Sequence, residues 1–197
     1  MIIGCDLDGV VFNSEAMFSS KAELYDCRVL MRNSNIAENR TEPTVQKRYS
    51  WNGLELDRFI RDVLLCDDFD VMPCAKEVLD ALREKGDIIY AVTARGQFSG
   101  VETDIAKKKL RQAGIKFDTV FWYQCDKLDI AKKLKLDVMI DDRIDICTAF
   151  AENGITALNF YMAGRKMPEE SEKLRVVYNW GEVYRAIEQE REKKNKK

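Results

Sequence analysis

The stretch Ile2-Ile3-Gly4-Cys5-Asp6-Leu7-Asp8-Gly9-Val10-Val11-Phe12-Asn13-Ser14 joins a short apolar run to two carboxylates and a glycine. It reads as a buried strand that delivers acids to its carboxyl end, the end at which ligands bind in an open α/β sheet. A loop beginning at Asp8 and eased by Gly9 lets Asp6 and Asp8 face a common site.

Downstream, strand and helix patterns alternate. Ile88-Ile89-Tyr90-Ala91-Val92, Thr119-Val120-Phe121-Trp122-Tyr123, Val138-Met139-Ile140 and Ile155 to Phe160 are apolar runs of strand length. Between them lie helical stripes at Ala75, Val78, Leu79 and Leu82, at Ala106, Leu110 and Ala113, at Ile130, Ala131 and Leu134, and at Ile146, Cys147, Phe150 and Ala151; Trp180, Val183 and Ile187 stripe a last helix. Five strands separated by helices predict an α/β fold, a doubly wound, Rossmann-like parallel five-stranded sheet with right-handed crossovers.

The first gap is different. Roughly 60 residues separate Ser14 from Pro73, more than a crossover helix requires, so a helical cap inserted after the first strand is expected. Residues 15–72 form that cap in this reading, and 1–14 with 73–197 the core. Phe18, Ala22, Tyr25 and Val29 predict one cap helix, and Leu56, Phe59, Ile60, Val63 and Leu64 a second. The polar stretch from Arg32 to Asn52, broken at Pro43, reads as a loop that has room for a short helix.

A length of 197 residues suits one core domain with a modest insertion, and 46% hydrophobic residues with a net charge of −2 are globular values. That balance gives no nucleic-acid footprint. No apolar stretch approaches the ~20 residues of a membrane span, and Met1 runs directly into a strand, so a cytoplasmic protein without a membrane partner is expected. The six cysteines form no C-x-x-C pair and are expected to be reduced thiols. The chain has no histidine, which removes the usual general base and the usual zinc ligand. Acid–base work then falls to carboxylates, and an aspartate site of oxygens favours Mg²⁺.

Three further strand ends carry residues that chemistry uses: Thr93-Ala94-Arg95, Lys127 and Asp141-Asp142-Arg143. Taken singly, Thr93 is also a helix cap, Lys127 a solvated lysine and Asp141-Asp142 a turn. A parallel sheet places these ends along one rim, where they converge with Asp6 and Asp8. Adjacent acids repel unless a cation compensates them, which gives Asp141-Asp142 a physical reason.

Through Asp6-Leu7-Asp8-Gly9, Thr93, Lys127 and Asp141-Asp142 the chain resembles the haloacid dehalogenase superfamily of phosphatases. Val92-Thr93-Ala94-Arg95, Asp126-Lys127 and Ile140-Asp141-Asp142-Arg143, with the insertion after the first strand, resemble its 5′(3′)-deoxyribonucleotidase group and bacterial relatives. The resemblance implies a Mg²⁺-dependent phosphomonoesterase in which Asp6 forms an aspartyl-phosphate. Asp8, with a raised pKa, would relay the proton. It implies metal held by Asp6, the Asp8 backbone carbonyl and Asp142 with support from Asp141, and phosphoryl oxygens held by Lys127, Thr93 and amides near Ala94. The substrate would be a nucleoside monophosphate, with Arg95, Phe18, Trp51, Tyr49 and Phe98 as leaving-group candidates. A sugar-phosphate phosphatase and a phosphate- or metal-binding protein without turnover are the alternatives, and the oligomeric state is left open.

Overall fold

The β-branched run at the start of the chain forms strand β1 (Ile2–Cys5), and β1 lies at the centre of the sheet. The computed structural model describes residues 1–33, 39–42, 44–96, 100–162 and 164–196; Pro43 and Phe98 lie outside the described residues. With β2 (Ile88–Val92), β3 (Thr119–Phe121), β4 (Val138–Asp141), β5 (Thr156–Phe160) and β6 (Leu174–Val177), β1 makes one sheet in the order β3-β2-β1-β4-β5-β6. Every pairing is parallel, with Ile3 opposite Ile89 on one side and Val138 on the other.

The sheet has six strands where five are expected from sequence. β6 is four residues long, Leu174-Arg175-Val176-Val177, and sits on the sheet edge beside β5. A segment so short, with an arginine inside it, gives too little apolar periodicity to stand out.

Both faces of the sheet are covered, as its continuous apolar strands require. Val138 and Ile140 pack with residues of α4 (Ala75–Glu84), α5 (Gly100–Ala113) and α8 (Trp180–Asn195). Met139, between them, packs on the other face with residues of α6 (Lys127–Leu134) and α7 (Ile144–Glu152). The strand order reverses between β1 and β4. That switch point, where open α/β sheets bind ligands, lies at the carboxyl ends of the strands leading to Asp6 and Asp141.

Residues between β1 and β2 build the inserted helices α1 (Glu15–Leu24), α2 (Val45–Tyr49) and α3 (Gly53–Leu64). The single helix expected from Ser14 to Val29 ends at Leu24 and widens into a π-helical turn, Tyr25–Val29. Tyr25 and Asp26 are both buried within this turn. The insertion leaves and rejoins the core through a narrow neck. There the Met72 amide donates to the Val11 carbonyl at 2.8 Å, and the Asn13 amide to the Asp70 carbonyl at 2.8 Å.

The insertion has its own aromatic core. The Trp51 ring is 3% exposed and lies 5.1 Å from Tyr25, 4.9 Å from Tyr49 and 5.0 Å from Phe59, centroid to centroid. Its indole N–H donates to the Asp26 carboxylate at 2.7 Å, so burial leaves no orphaned donor. Of the two roles open to Trp51 from sequence, packing and base contact, the structure supports packing, with three aromatic neighbours from the same insertion around a buried ring. Trp51→Ala is expected to cost about 3–5 kcal/mol of stability. Any activity should then fall in parallel for all substrates, read by thermal melting beside kcat/KM on two esters; a selective loss for one ester with an unchanged Tm would contradict the packing role.

Candidate active site

β1 ends at Cys5, one residue before the first acid, and the chain then winds tightly. The amides of Val11 and Phe12 both donate to the Leu7 carbonyl, at 2.9 and 2.7 Å, and Gly9 N–H donates to the Phe12 carbonyl at 3.0 Å. Leu7, fully buried, anchors the loop between the two acids. Gly9 has φ +74°, and a Cβ there would stand 2.7 Å from the Asp142 carboxyl carbon. A residue without a side chain is therefore required for Asp142 to approach the loop.

Asp6 and Asp8 then face different partners. Asp6 is 7% exposed, and its Oδ2 lies 2.7 Å from the Lys127 ammonium. Lys127, the first residue of α6, also reaches Asp141 Oδ2 at 2.7 Å and is itself buried. Carboxylate oxygens of Asp6, Asp141 and Asp142 all lie within 4.8 Å of one another. Burial pushes the Asp6 carboxyl up to about 7, with Asp141 and Asp8 adding to the rise and Lys127 opposing it. Burial, Asp141 and Asp6 likewise hold Asp142 well above the usual carboxylate range. Burial disfavours the Lys127 charge, yet Asp141 and Asp6 outweigh it and raise its pKa. One buried lysine among three acids is an incomplete neutralisation. The all-oxygen donor set fits a hard divalent cation such as Mg²⁺, which supplies the missing positive charge.

Asp8 is held by Arg95 in a bidentate fork, with Nε at 2.9 Å from Oδ2 and Nη2 at 2.6 Å from Oδ1. The Arg95 guanidinium is fully buried and lies over the rings of Phe69 and Phe12, 5.1 and 5.9 Å from their centroids. Burial alone would raise the Asp8 pKa, but the charge and hydrogen bonds of Arg95, with the Ser14 hydroxyl, bring it below the ordinary value. The sequence-based expectation of a raised Asp8 pKa is thus corrected. The neighbouring acids it invoked are outweighed by a cation 87 positions away in the chain.

The turn after β2 carries the other expected residues. Thr93 is buried, and its hydroxyl accepts the Arg95 amide at 3.1 Å, so Arg95 leaves the turn aimed back at Asp8. Ala94 is exposed at the tip. Of the aromatic candidates, Phe18 lies half-buried on α1 against the main core, and Tyr49 is buried with its hydroxyl donating to Glu23 at 2.7 Å. The structure therefore brings Asp6, Lys127, Asp141 and Asp142 into one cluster and Asp8 with Arg95 into a second beside it, while Trp51 and Tyr49 are buried in hydrophobic packing.

Sequence reasoning missed several residues around this centre. Asn159 on β5 donates its side-chain amide to the Asp141 carbonyl at 3.3 Å, and the Cys147 thiol points to the same carbonyl at 3.4 Å. Glu15 lies close enough to raise the Asp142 pKa, and one of its oxygens takes Arg48 at 3.3 Å and Arg165 at 2.6 Å. Arg48 comes from α2 and Arg165 from the loop after β5, so this tie joins the insertion to the core. A polar residue in a buried strand was a legible signal for Asn159; Arg48 and Arg165 stand in irregular polar stretches that carry none.

No protein-family model matches the chain, and no curated protein sequence matches it. Solved structures do. A haloacid dehalogenase-like family hydrolase from Streptococcus pneumoniae superposes with a TM-score of 0.65 at 14% identity, over 94% of this chain and 97% of that one. One from Xanthomonas campestris gives 0.60 at 13%, over 100% and 98%. CbbY from Rhodobacter sphaeroides, solved in complex with xylulose-(1,5)bisphosphate, gives 0.60 at 13%, over 92% and 95%. At these identities the likeness speaks to architecture, and the chain has the fold of the haloacid dehalogenase-like hydrolases.

Proposed function

We propose that the protein is a Mg²⁺-dependent phosphomonoesterase working through an aspartyl-phosphate on Asp6, with nucleoside monophosphates as its substrates. Residues 1–14 and 73–197 form the catalytic core in this reading, and 15–72 the cap. The observation that carries it is the Asp6 carboxylate, aimed from the sheet's switch point at a buried lysine and two further acids.

In the first step an Asp6 oxygen bonds to phosphorus as the bond from phosphorus to the leaving oxygen breaks, and Asp8 gives that oxygen a proton. In the second, water attacks phosphorus, Asp8 takes its proton, and the Asp6–phosphorus bond breaks to release phosphate and restore both acids. With Arg95 beside it Asp8 rests as a carboxylate, the form the second step needs. The negative charge of an arriving phosphate ester opposes Arg95 and favours the protonated form that the first step needs. Lys127, the Thr93 hydroxyl and the backbone near Ala94 hold the transferring oxygens. Asp6, Asp141 and Asp142 would hold Mg²⁺, with the Asp8 carbonyl, and the ion would offset phosphoryl charge.

Phosphate release from a panel of monoesters, with Mg²⁺ and after removal of divalent cations, tests this reading. Turnover is expected with the metal and should fall at least about 10³-fold without it; equal rates in both would overturn the metal-dependent mechanism. A second reading, hydrolysis of sugar phosphates, is favoured by the likeness to CbbY bound to a sugar bisphosphate. Higher kcat/KM for ribose 5-phosphate than for deoxythymidine monophosphate would select it.

A further inference from the structure

We propose that Tyr123 is the aromatic surface on which the leaving group of the substrate rests, an inference that builds on the phosphomonoesterase reading above. Tyr123 follows β3 on the rim that carries the site, and the two turns are stitched together there. Its amide donates to the Arg95 carbonyl at 3.1 Å, and the next amide, of Gln124, donates to the Thr93 carbonyl at 2.8 Å. These bonds fix the turn that leads to Lys127. They also force Tyr123 into the left-handed region, at φ +64°.

A bulky residue is a poor occupant of that conformation. Met31, Ser50, Cys74 and Lys135 share it, but each stands at a helix end: Ser50 and Lys135 close helices, Met31 follows the end of the π-helical turn, and Cys74 is the N-cap of α4. Tyr123 closes no helix. Glycine or asparagine would meet the backbone requirement at lower cost, so the fold does not explain a tyrosine here.

Nor does packing explain it, because Tyr123 is 54% exposed. One ring edge lies against Gly96, where a Cβ would stand 2.6 Å from Tyr123 Cε1; Gly96 has φ +107° and immediately follows Arg95. A glycine thus clears room for the ring directly beside the turn of Thr93, Ala94 and Arg95. Strain held at a large exposed ring next to a catalytic turn marks a functional use of that ring. Its exposed π-face suits a leaving group that carries a planar aromatic ring, and a nucleobase separated from the phosphoryl group by one sugar is of that kind.

The test is steady-state kinetics with Mg²⁺ on deoxythymidine monophosphate and ribose 5-phosphate, for wild type, Tyr123→Phe and Tyr123→Gly, beside thermal melting. Tyr123→Gly should lower the ratio of the two kcat/KM values about tenfold to a hundredfold, with a Tm that holds or rises as the backbone relaxes. Tyr123→Phe should keep the ratio. An unchanged ratio in Tyr123→Gly, or parallel losses on both esters with a lowered Tm, would overturn the role of Tyr123. A wild type that prefers ribose 5-phosphate would overturn it too while leaving the Asp6 chemistry standing, and one that hydrolyses no monoester would overturn the phosphatase reading itself.

Discussion

Asp6→Asn should abolish phosphate release, by at least about 10³-fold, while the Tm stays near that of wild type or rises. The amide keeps the shape of the side chain but cannot form the acyl phosphate. The stability expectation follows from the cluster: Asp6 is one of three acids gathered around one lysine, and Lys127 keeps its 2.7 Å contact with Asp141 when Asp6 is neutral. Removing a like charge from a buried group relieves repulsion. Phosphate-release assays with Mg²⁺, thermal melting and a search for labelled phosphoenzyme in both forms decide the matter. Undiminished turnover would end the nucleophile assignment, and a large drop in Tm would show that Asp6 is held for the fold instead.

Lys127→Met should have the second largest effect, and on both quantities. The ammonium is the direct partner of Asp6 and Asp141, and it is 4% exposed. Without it the acids are left buried with no cation, a loss of about 3–5 kcal/mol, and the transferring phosphoryl oxygens lose a donor, about 10²–10³-fold in kcat. Because the variant site is more negative, added Mg²⁺ should raise its Tm more than it raises that of wild type. The double variant Asp6→Asn with Lys127→Met should recover part of the lost stability, since contacting charges are not additive. Equal Mg²⁺-induced shifts in wild type and Lys127→Met, with unchanged stability, would show that the lysine does not neutralise this cluster.

The parallel sheet was legible because its central strands are unbroken apolar runs, such as Ile88–Val92 and Val138–Ile140, and buried strands announce themselves that way. Helix α3 was legible for the opposite reason, one apolar stripe on a polar helix. β6 was not, because an edge strand of four residues needs little apolar character. Asp6, Lys127, Asp141 and Asp142 could be gathered from sequence because each stands at the end of a strand or beyond it, and a parallel sheet collects such ends without help from side chains. The pairing of Asp8 with Arg95 could not. It depends on how one loop turns a guanidinium over the contacting rings of Phe12 and Phe69, a matter of packing across distant segments. Trp51 was ambiguous for a similar reason: an aromatic in a polar stretch reads as a packing or a binding residue until Tyr25, Tyr49 and Phe59 are seen around it.

The neck at Val11–Asn13 and Asp70–Met72 bears on how the chain folds. Pairing of β1 with β2 joins positions as far as 86 apart, an unfavourable separation for a strand contact made early. The neck hydrogen bonds hold the two ends of the insertion together, so a chain in which they have closed faces a shorter search for that pairing. Once the aromatic core of the insertion has formed, the whole segment between them counts as a closed appendage, so the distance β1 must search for β2 shrinks to the short remainder on the core side. Closure entropy grows only slowly with loop length, about 0.6 kcal/mol for each doubling, and the neck divides that cost between two closures, its own and the shorter one that remains. A segment attached in this way can change in length at small entropic cost to the pairing of the strands it separates.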